Sequence, residues 1–231
     1  MDDIQAWTVI ISEGRQWNTV RNDIMRLRVV LRYLHLRGIK CLDPELIPVP
    51  KRRDVTRDFL TAEEVTKMIM NAYNLRSKFI ISLLYSSGIR LSELLQLDRN
   101  SICDRQFQVV GKGGKSRICF IDERTEVLMN MYLDQRKDDN EALFISRINK
   151  ERMTATNVQL IVKNAALRAG IDKHVTPHVL RHSFATNFIK NNGNIRYLST
   201  MLGHASISTT AIYTHVMDND LKQQYAQFHS F

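Results

Sequence analysis

Residues 107–121, FQVVGKGGKSRICFI, decide the fold class of this chain. Phe107–Gly111 and Ser116–Ile121 read as two short strands, and Lys112-Gly113-Gly114-Lys115 between them is a hairpin signal. On either side the pattern changes to a helical period. Upstream, helices are expected at about 61–72 and 77–87, the first opened by a capping box of Thr61 and Glu64. Downstream they are expected at roughly 123–136, 154–168, 177–192, 195–202 and 218–228. The expected fold is mainly α with one small antiparallel β-sheet.

Farther toward the N-terminus, residues 43–58 hold three of the four prolines, Pro44, Pro48 and Pro50, followed at once by Lys51, Arg52 and Arg53. Proline bars regular helix and pushes the preceding residue toward extended geometry. The segment reads as a linker between a small unit (1–42) and a larger one (59–231), with a surface loop inside one domain as the alternative. The small unit looks like two helices. In the second, residues 17–37, Trp17, Val20, Ile24, Leu27, Val30, Leu31 and Leu34 make one apolar face, and Gly38 supplies the stop. Arg21, Arg26, Arg28, Arg32 and Arg37 fall largely elsewhere. Five arginines and no lysine lean toward phosphate contact, because the guanidinium fork matches phosphate oxygens. About 45 residues is too little for a self-sufficient core, so this unit is expected to depend on something else.

The bulk composition sets the outer bounds. Of 231 residues, 44% are hydrophobic and 25% charged, the balance of a soluble globular protein. No apolar run approaches the roughly 20 residues of a membrane span. The start, MDDIQAW, lacks the basic-then-apolar layout of a secretory signal. Cys41, Cys103 and Cys119 form neither a C-x-x-C pair nor an even disulfide set, so a reducing cytoplasm fits best. With 33 Lys+Arg against 24 Asp+Glu, the net charge of +9 favours a polyanionic partner: DNA, RNA or anionic lipid.

Three chemical leads fail on inspection. Gly114-Lys115-Ser116 resembles the end of a P-loop, but Val109 stands where the first glycine is required, and the following residues are strand-like. His174, His178 and His182 have zinc-ligand spacing, yet Pro177 belongs in the first helical turn and leaves His174 outside the helix. Glu63-Glu64 and Asp138-Asp139 fall in exposed-looking stretches and read as solvated charge. What remains is a dispersed set. His178 and Arg181 share one helix face; Arg90 follows Gly88 at a helix junction; His204 follows Gly203; Tyr213 lies in TTAIYTH. Together they contain what transfer at a phosphodiester needs. Arginines can neutralise the non-bridging oxygens, histidines can move protons, and a tyrosine can attack phosphorus.

Four stretches now carry a resemblance: SSGIRLSELLQL (86–97), GKGGKSR (111–117), TPHVLRHSFAT (176–186) and LGHASISTTAIYTH (202–215). In order and in spacing they resemble the motif series of the tyrosine recombinase (phage integrase, Xer-like) family. The resemblance runs from about residue 4 to the C-terminus and is strongest over 60–216. It implies a tyrosine recombinase catalytic domain preceded by a partial helical core-binding domain, which resembles the family's domain from about its third helix onward. It implies that Arg90 and Arg181 grip the scissile phosphate, that Lys112 protonates the leaving 5′ oxygen, and that His178 assists proton transfer. His204 would hydrogen-bond the phosphate, Tyr213 would be the nucleophile of a 3′-phosphotyrosyl link, and Glu93 would support Arg90 from behind. Lys112 is the first lysine of the G-K-G-x-K pattern; Lys115 reads as a backbone-phosphate contact, and Lys51, Arg52 and Arg53 as contacts to flanking DNA.

The implied function is site-specific cleavage and rejoining of duplex DNA. Exchange of one oxygen for another on phosphorus conserves the phosphodiester's energy, so neither metal nor ATP nor any other cofactor is expected. The tail MDNDLKQQYAQFHSF reads as an amphipathic helix, which in the family docks into a neighbouring protomer of a tetramer; packing on its own domain is the alternative. A non-catalytic or regulatory DNA-binding member is the competing function because of the short N-terminus. A type IB topoisomerase-like relaxase is a third.

Overall fold

The computed structural model describes residues 6–7, 10–50, 58–111, 114 and 116–203. The chain divides into two compact units between Arg57 and Asp58.

The first unit is built on α1 (Trp17–Leu36). Val20, Ile24 and Ile47 are its buried centre, and Trp7, Ile11, Leu27, Leu31, Leu42 and Val49 pack around them. Residues 43–50, expected as part of a linker, fold back onto α1. Pro44 suits the first position of a 3-10 turn over Pro44–Leu46, whose Glu45 N–H is accepted by the Asp43 side chain. Glu45 in turn pairs with Arg28 and Arg32, and Arg21 Nε donates to the Pro50 carbonyl at 3.1 Å. Three of the five arginines thus hold this segment, a use that helical periodicity does not foretell. Lys51, Arg52 and Arg53 lie outside the described residues.

The second unit is arranged around one helix. Its elements are α2 (Ala62–Asn71), α3 (Leu75–Ser87), α4 (Leu91–Leu94), β1 (Gln106–Val110), β2 (Ser116–Phe120), α5 (Glu123–Asp134), α6 (Ala155–Arg168), α7 (Pro177–Lys190) and α8 (Ile195–Leu202). In α3, Phe79, Ile80, Ile81, Leu83 and Leu84 are all fully buried. A helix apolar on every side belongs at a centre, and α3 is flanked by α2, α5, α6 and α7. Phe79, Tyr132 and Phe144 gather at one point, with ring centroids 5.1–5.8 Å apart.

The capping box of α2 is present, with the Thr61 N–H donating to Glu64 Oε2 (2.8 Å) and the Glu64 N–H to Thr61 Oγ1 (3.2 Å). The two strands pair antiparallel, Val109 opposite Arg117 and Phe107 opposite Cys119. The architecture is mainly helical with a two-stranded antiparallel sheet. Two short pieces were not expected. The 3-10 turn and the single-turn α4 are too brief to show a hydrophobic period. The helix expected at 218–228 lies outside the described residues. Among the described residues no helix is long and apolar enough to cross a membrane.

Candidate active site

The site grows from two helix ends and one buried strand position. α3 ends at Gly88, which takes a left-handed φ of +61°. A Cβ there would stand 2.5 Å from the Phe184 ring, so only glycine lets α7 pack this closely against the turn. The chain re-enters helix at α4 with Arg90 in extended geometry at its N-cap.

Glu93, three residues on, folds back toward Arg90. Its Oε2 accepts the Arg90 backbone N–H at 2.7 Å, and its Oε1 accepts Arg90 Nη1 at 2.9 Å. The Glu93 side chain is 4% exposed and that of Arg90 38%. The carboxylate is therefore interior, while the guanidinium it orients reaches solvent.

A second guanidinium completes the carboxylate's environment. Arg117 of β2 forms a bidentate pair with Glu93, Nη1 to Oε1 at 2.8 Å and Nη2 to Oε2 at 2.7 Å. Its Nε donates to the Met201 carbonyl at 2.7 Å. Burial by itself would push the Glu93 carboxyl up. The hydrogen bonds from Arg117 and from the Arg90 amide, with the charge of Arg117 and a further hydrogen bond from the Arg90 guanidinium, outweigh it and hold the group at about 2.

That shift has a consequence for stability. The folded-state value is depressed below the ordinary 4.5, so the stabilisation is fully present above about pH 4.5 and is lost as pH falls toward 2. A shift of this size corresponds to roughly 3 kcal/mol. Urea titrations between pH 5 and 2.5 are expected to show this loss in the wild type and a flatter acid limb in Glu93→Gln. Equal slopes in the two proteins would count against it.

Arg181 lies at the buried face of α7, whose N-terminus is set by Pro177 at its first turn and by Thr176 accepting the Val179 N–H. It is 6% exposed. Its Nη1 donates to the Gly88 carbonyl at 2.6 Å and its Nη2 to the Leu202 carbonyl at 2.8 Å. One side chain thereby binds the end of α3 to the end of α8. His178, one turn earlier on α7, is exposed, and His174 precedes the helix. α8 ends at Gly203 with a φ of +62°, and His204 follows it.

The fold thus brings Arg90, Glu93 and Arg181 to the junction of α3, α4, α7 and α8. Lys112, Lys115, His204 and Tyr213 lie outside the described residues. The Gly114 N–H donates to the Gly111 carbonyl at 3.3 Å, and β2 packs on α8. Among the described residues no three His, Cys, Asp or Glu side chains converge as a metal site. Sequence reasoning missed Arg117. The signal was its place in the strand alternation, which puts it on the inward face with Cys119, where a charge requires a buried partner.

The chain is similar to known proteins over nearly its whole length. Residues 58–220 match the model of the phage integrase family. The tyrosine recombinase XerD of Oceanobacillus iheyensis is 34% identical over 242 aligned positions, covering 98% of this chain and 81% of that protein. The crystal structure of XerA recombinase is 28% identical, covers 99% of this chain and 83% of its own, and superposes with a TM-score of 0.67. The XerH site-specific recombinase, bound to a palindromic difH substrate in a post-cleavage complex, shares the fold at 21% identity. Its TM-score is 0.77, over 97% of this chain and 71% of its own. With the family model matched over more than half its length, the chain belongs to the phage integrase family and is a relative of the tyrosine recombinase XerD.

Proposed function

We propose that this protein is a site-specific recombinase that cleaves and rejoins duplex DNA through a 3′-phosphotyrosyl intermediate. The observation that carries the reading is the convergence of Arg90, oriented by a buried carboxylate, with Arg181, which joins two helix ends at the same junction. Arginines remain cationic at any working pH and match phosphate geometry, so they favour the charge that gathers on the non-bridging oxygens in the transition state.

In this mechanism the Tyr213 hydroxyl oxygen bonds to phosphorus and the bond from phosphorus to the 5′ oxygen breaks. His178 assists removal of the phenolic proton, and Lys112 protonates the departing 5′ oxygen. His204 donates a hydrogen bond to the phosphate. Rejoining reverses the step with a 5′ hydroxyl as nucleophile. One phosphodiester is exchanged for another, so the chemistry itself requires no ATP. Lys51, Arg52, Arg53 and Lys115 contact the DNA backbone, and the C-terminal helix links protomers into a tetramer on the recombination site. A DNA partner and three cysteines that form no even disulfide set both fit a cytoplasmic location.

The test is a nicked suicide duplex bearing sequence from the DNA flanking the gene. Attack a few nucleotides to the 5′ side of the nick, in the same strand, releases a short 5′-hydroxyl fragment and traps the covalent intermediate. The expected result is a protein–DNA adduct on a denaturing gel. Salt-sensitive binding with no adduct on any such duplex would overturn the recombinase reading in favour of a non-catalytic DNA-binding module.

A further inference from the structure

We infer that Arg117 is a positioning residue of this site, which sets Arg90 through Glu93 and sets the chain entering His204 through Met201; the inference rests on the recombinase reading above. Arg117 occupies an inward position of a two-stranded sheet, and its side chain is 7% exposed. A guanidinium so placed needs its donors satisfied, because an unpaired buried charge is strongly unfavourable. It is satisfied by groups far away in sequence: both oxygens of Glu93, 24 residues upstream, and the carbonyl of Met201, 84 residues downstream.

Each Glu93 oxygen is shared. Oε1 accepts from Arg117 Nη1 and Arg90 Nη1; Oε2 accepts from Arg117 Nη2 and the Arg90 backbone N–H. Arg90 reaches solvent and must engage a phosphate, so it cannot by itself fix the carboxylate that orients it. Arg117 does so from the opposite, dry side, with a bidentate geometry that sets the carboxylate plane as well as its position. On its other edge Arg117 lies against Gly203. A Cβ at Gly203 would stand 2.9 Å from Arg117 Cδ, at a backbone φ of +62°. The next residue is His204. One interior side chain therefore ties α4, whose N-cap is Arg90, to the end of α8, which His204 follows in sequence.

An arginine with a purely structural role would have the same contacts but a different pattern of rescue. The experiment compares wild type, Arg117→Lys, Arg117→Met and Arg117→Met/Glu93→Gln on the suicide duplex. Single-turnover cleavage, DNA affinity, urea midpoint and backbone hydrogen exchange are measured for each. Displacement of reacting groups by about 1 Å is enough for a rate loss of about 100-fold, and that loss is expected in Arg117→Met with DNA affinity nearly unchanged. Arg117→Lys is expected to regain part of the rate. The double variant, which removes the unpaired carboxylate, is expected to recover the urea midpoint without recovering cleavage. It should also exchange faster at residues 88–94 and 200–203 than wild type.

Recovery of cleavage together with stability in the double variant would overturn the inference, as would unchanged exchange at both segments. A wild type that forms no adduct overturns the proposed function. A wild-type adduct with full cleavage in Arg117→Met overturns the inference about Arg117 alone.

Discussion

Tyr213→Phe is expected to abolish the covalent protein–DNA adduct while leaving affinity for the duplex within about threefold. Phenylalanine keeps the ring but lacks the oxygen that would bond to phosphorus. The neighbouring hydroxyls, Ser206, Ser208, Thr209, Thr210 and Thr214, are aliphatic alcohols and far weaker acids than a phenol of pKa near 10. At neutral pH, with arginines beside the phosphate, the phenol is the group that can shed its proton during attack. Loss of a nucleophile leaves no alternative covalent route, so cleavage is expected to fall by about 10⁴-fold or more. The measurement is the shifted band on a denaturing gel with end-labelled suicide duplex. An adduct that persists unchanged in the variant would remove Tyr213 from the mechanism.

The second large effect belongs to Arg181. Arg181→Ala is expected to lower single-turnover cleavage by about 10³-fold, the scale seen when a preorganised donor to a developing oxyanion is removed. It should also destabilise the fold. The carbonyls of Gly88 and Leu202 would lose donors in a buried setting, at about 1–3 kcal/mol each, so a loss of roughly 2–6 kcal/mol in urea unfolding is expected. Arg181→Lys separates the two roles. A lysine restores the positive charge but lacks the planar fork and cannot span both carbonyls, so stability is expected to return in part while cleavage stays at least about tenfold low. Full cleavage in a folded Arg181→Ala protein would show that this guanidinium holds the helix ends together and nothing more.

Arg181 meets Arg90 and Glu93 at one junction, and the routes by which these residues arrive there differ. Glu93 reaches Arg90 across one helical turn, an i,i+3 relation that can be read directly from SSGIRLSEL. Arg181 reaches the Gly88 carbonyl across 93 residues, and no local pattern foretells that bond. The two guanidiniums therefore share a site for different reasons, one written in the spacing of a motif and the other in the packing of α7 on α3. Arg117 is the extreme case. Hydropathy argues for an exposed side chain, whereas the strand alternation turns it inward, and only the partners it meets there make that burial tolerable.

The strand pair at 107–121 separates the two levels of information. The sequence by itself determined the two strands, the helices of the second unit to within a few residues, the capping box at Thr61, and the kinds of side chain a phosphoryl-transfer site needs. Those features follow from local periods of 2 and 3.6 residues and from turn and cap chemistry acting over three or four positions. Tertiary structure decided that residues 43–50 fold onto α1 and that Arg117 links β2 to Glu93 and Met201. Each of these rests on hydrogen bonds or contacts between residues far apart in the chain. Such bonds form only after long loops close, and the closing is driven by burial of the whole core rather than by any property of the segments themselves.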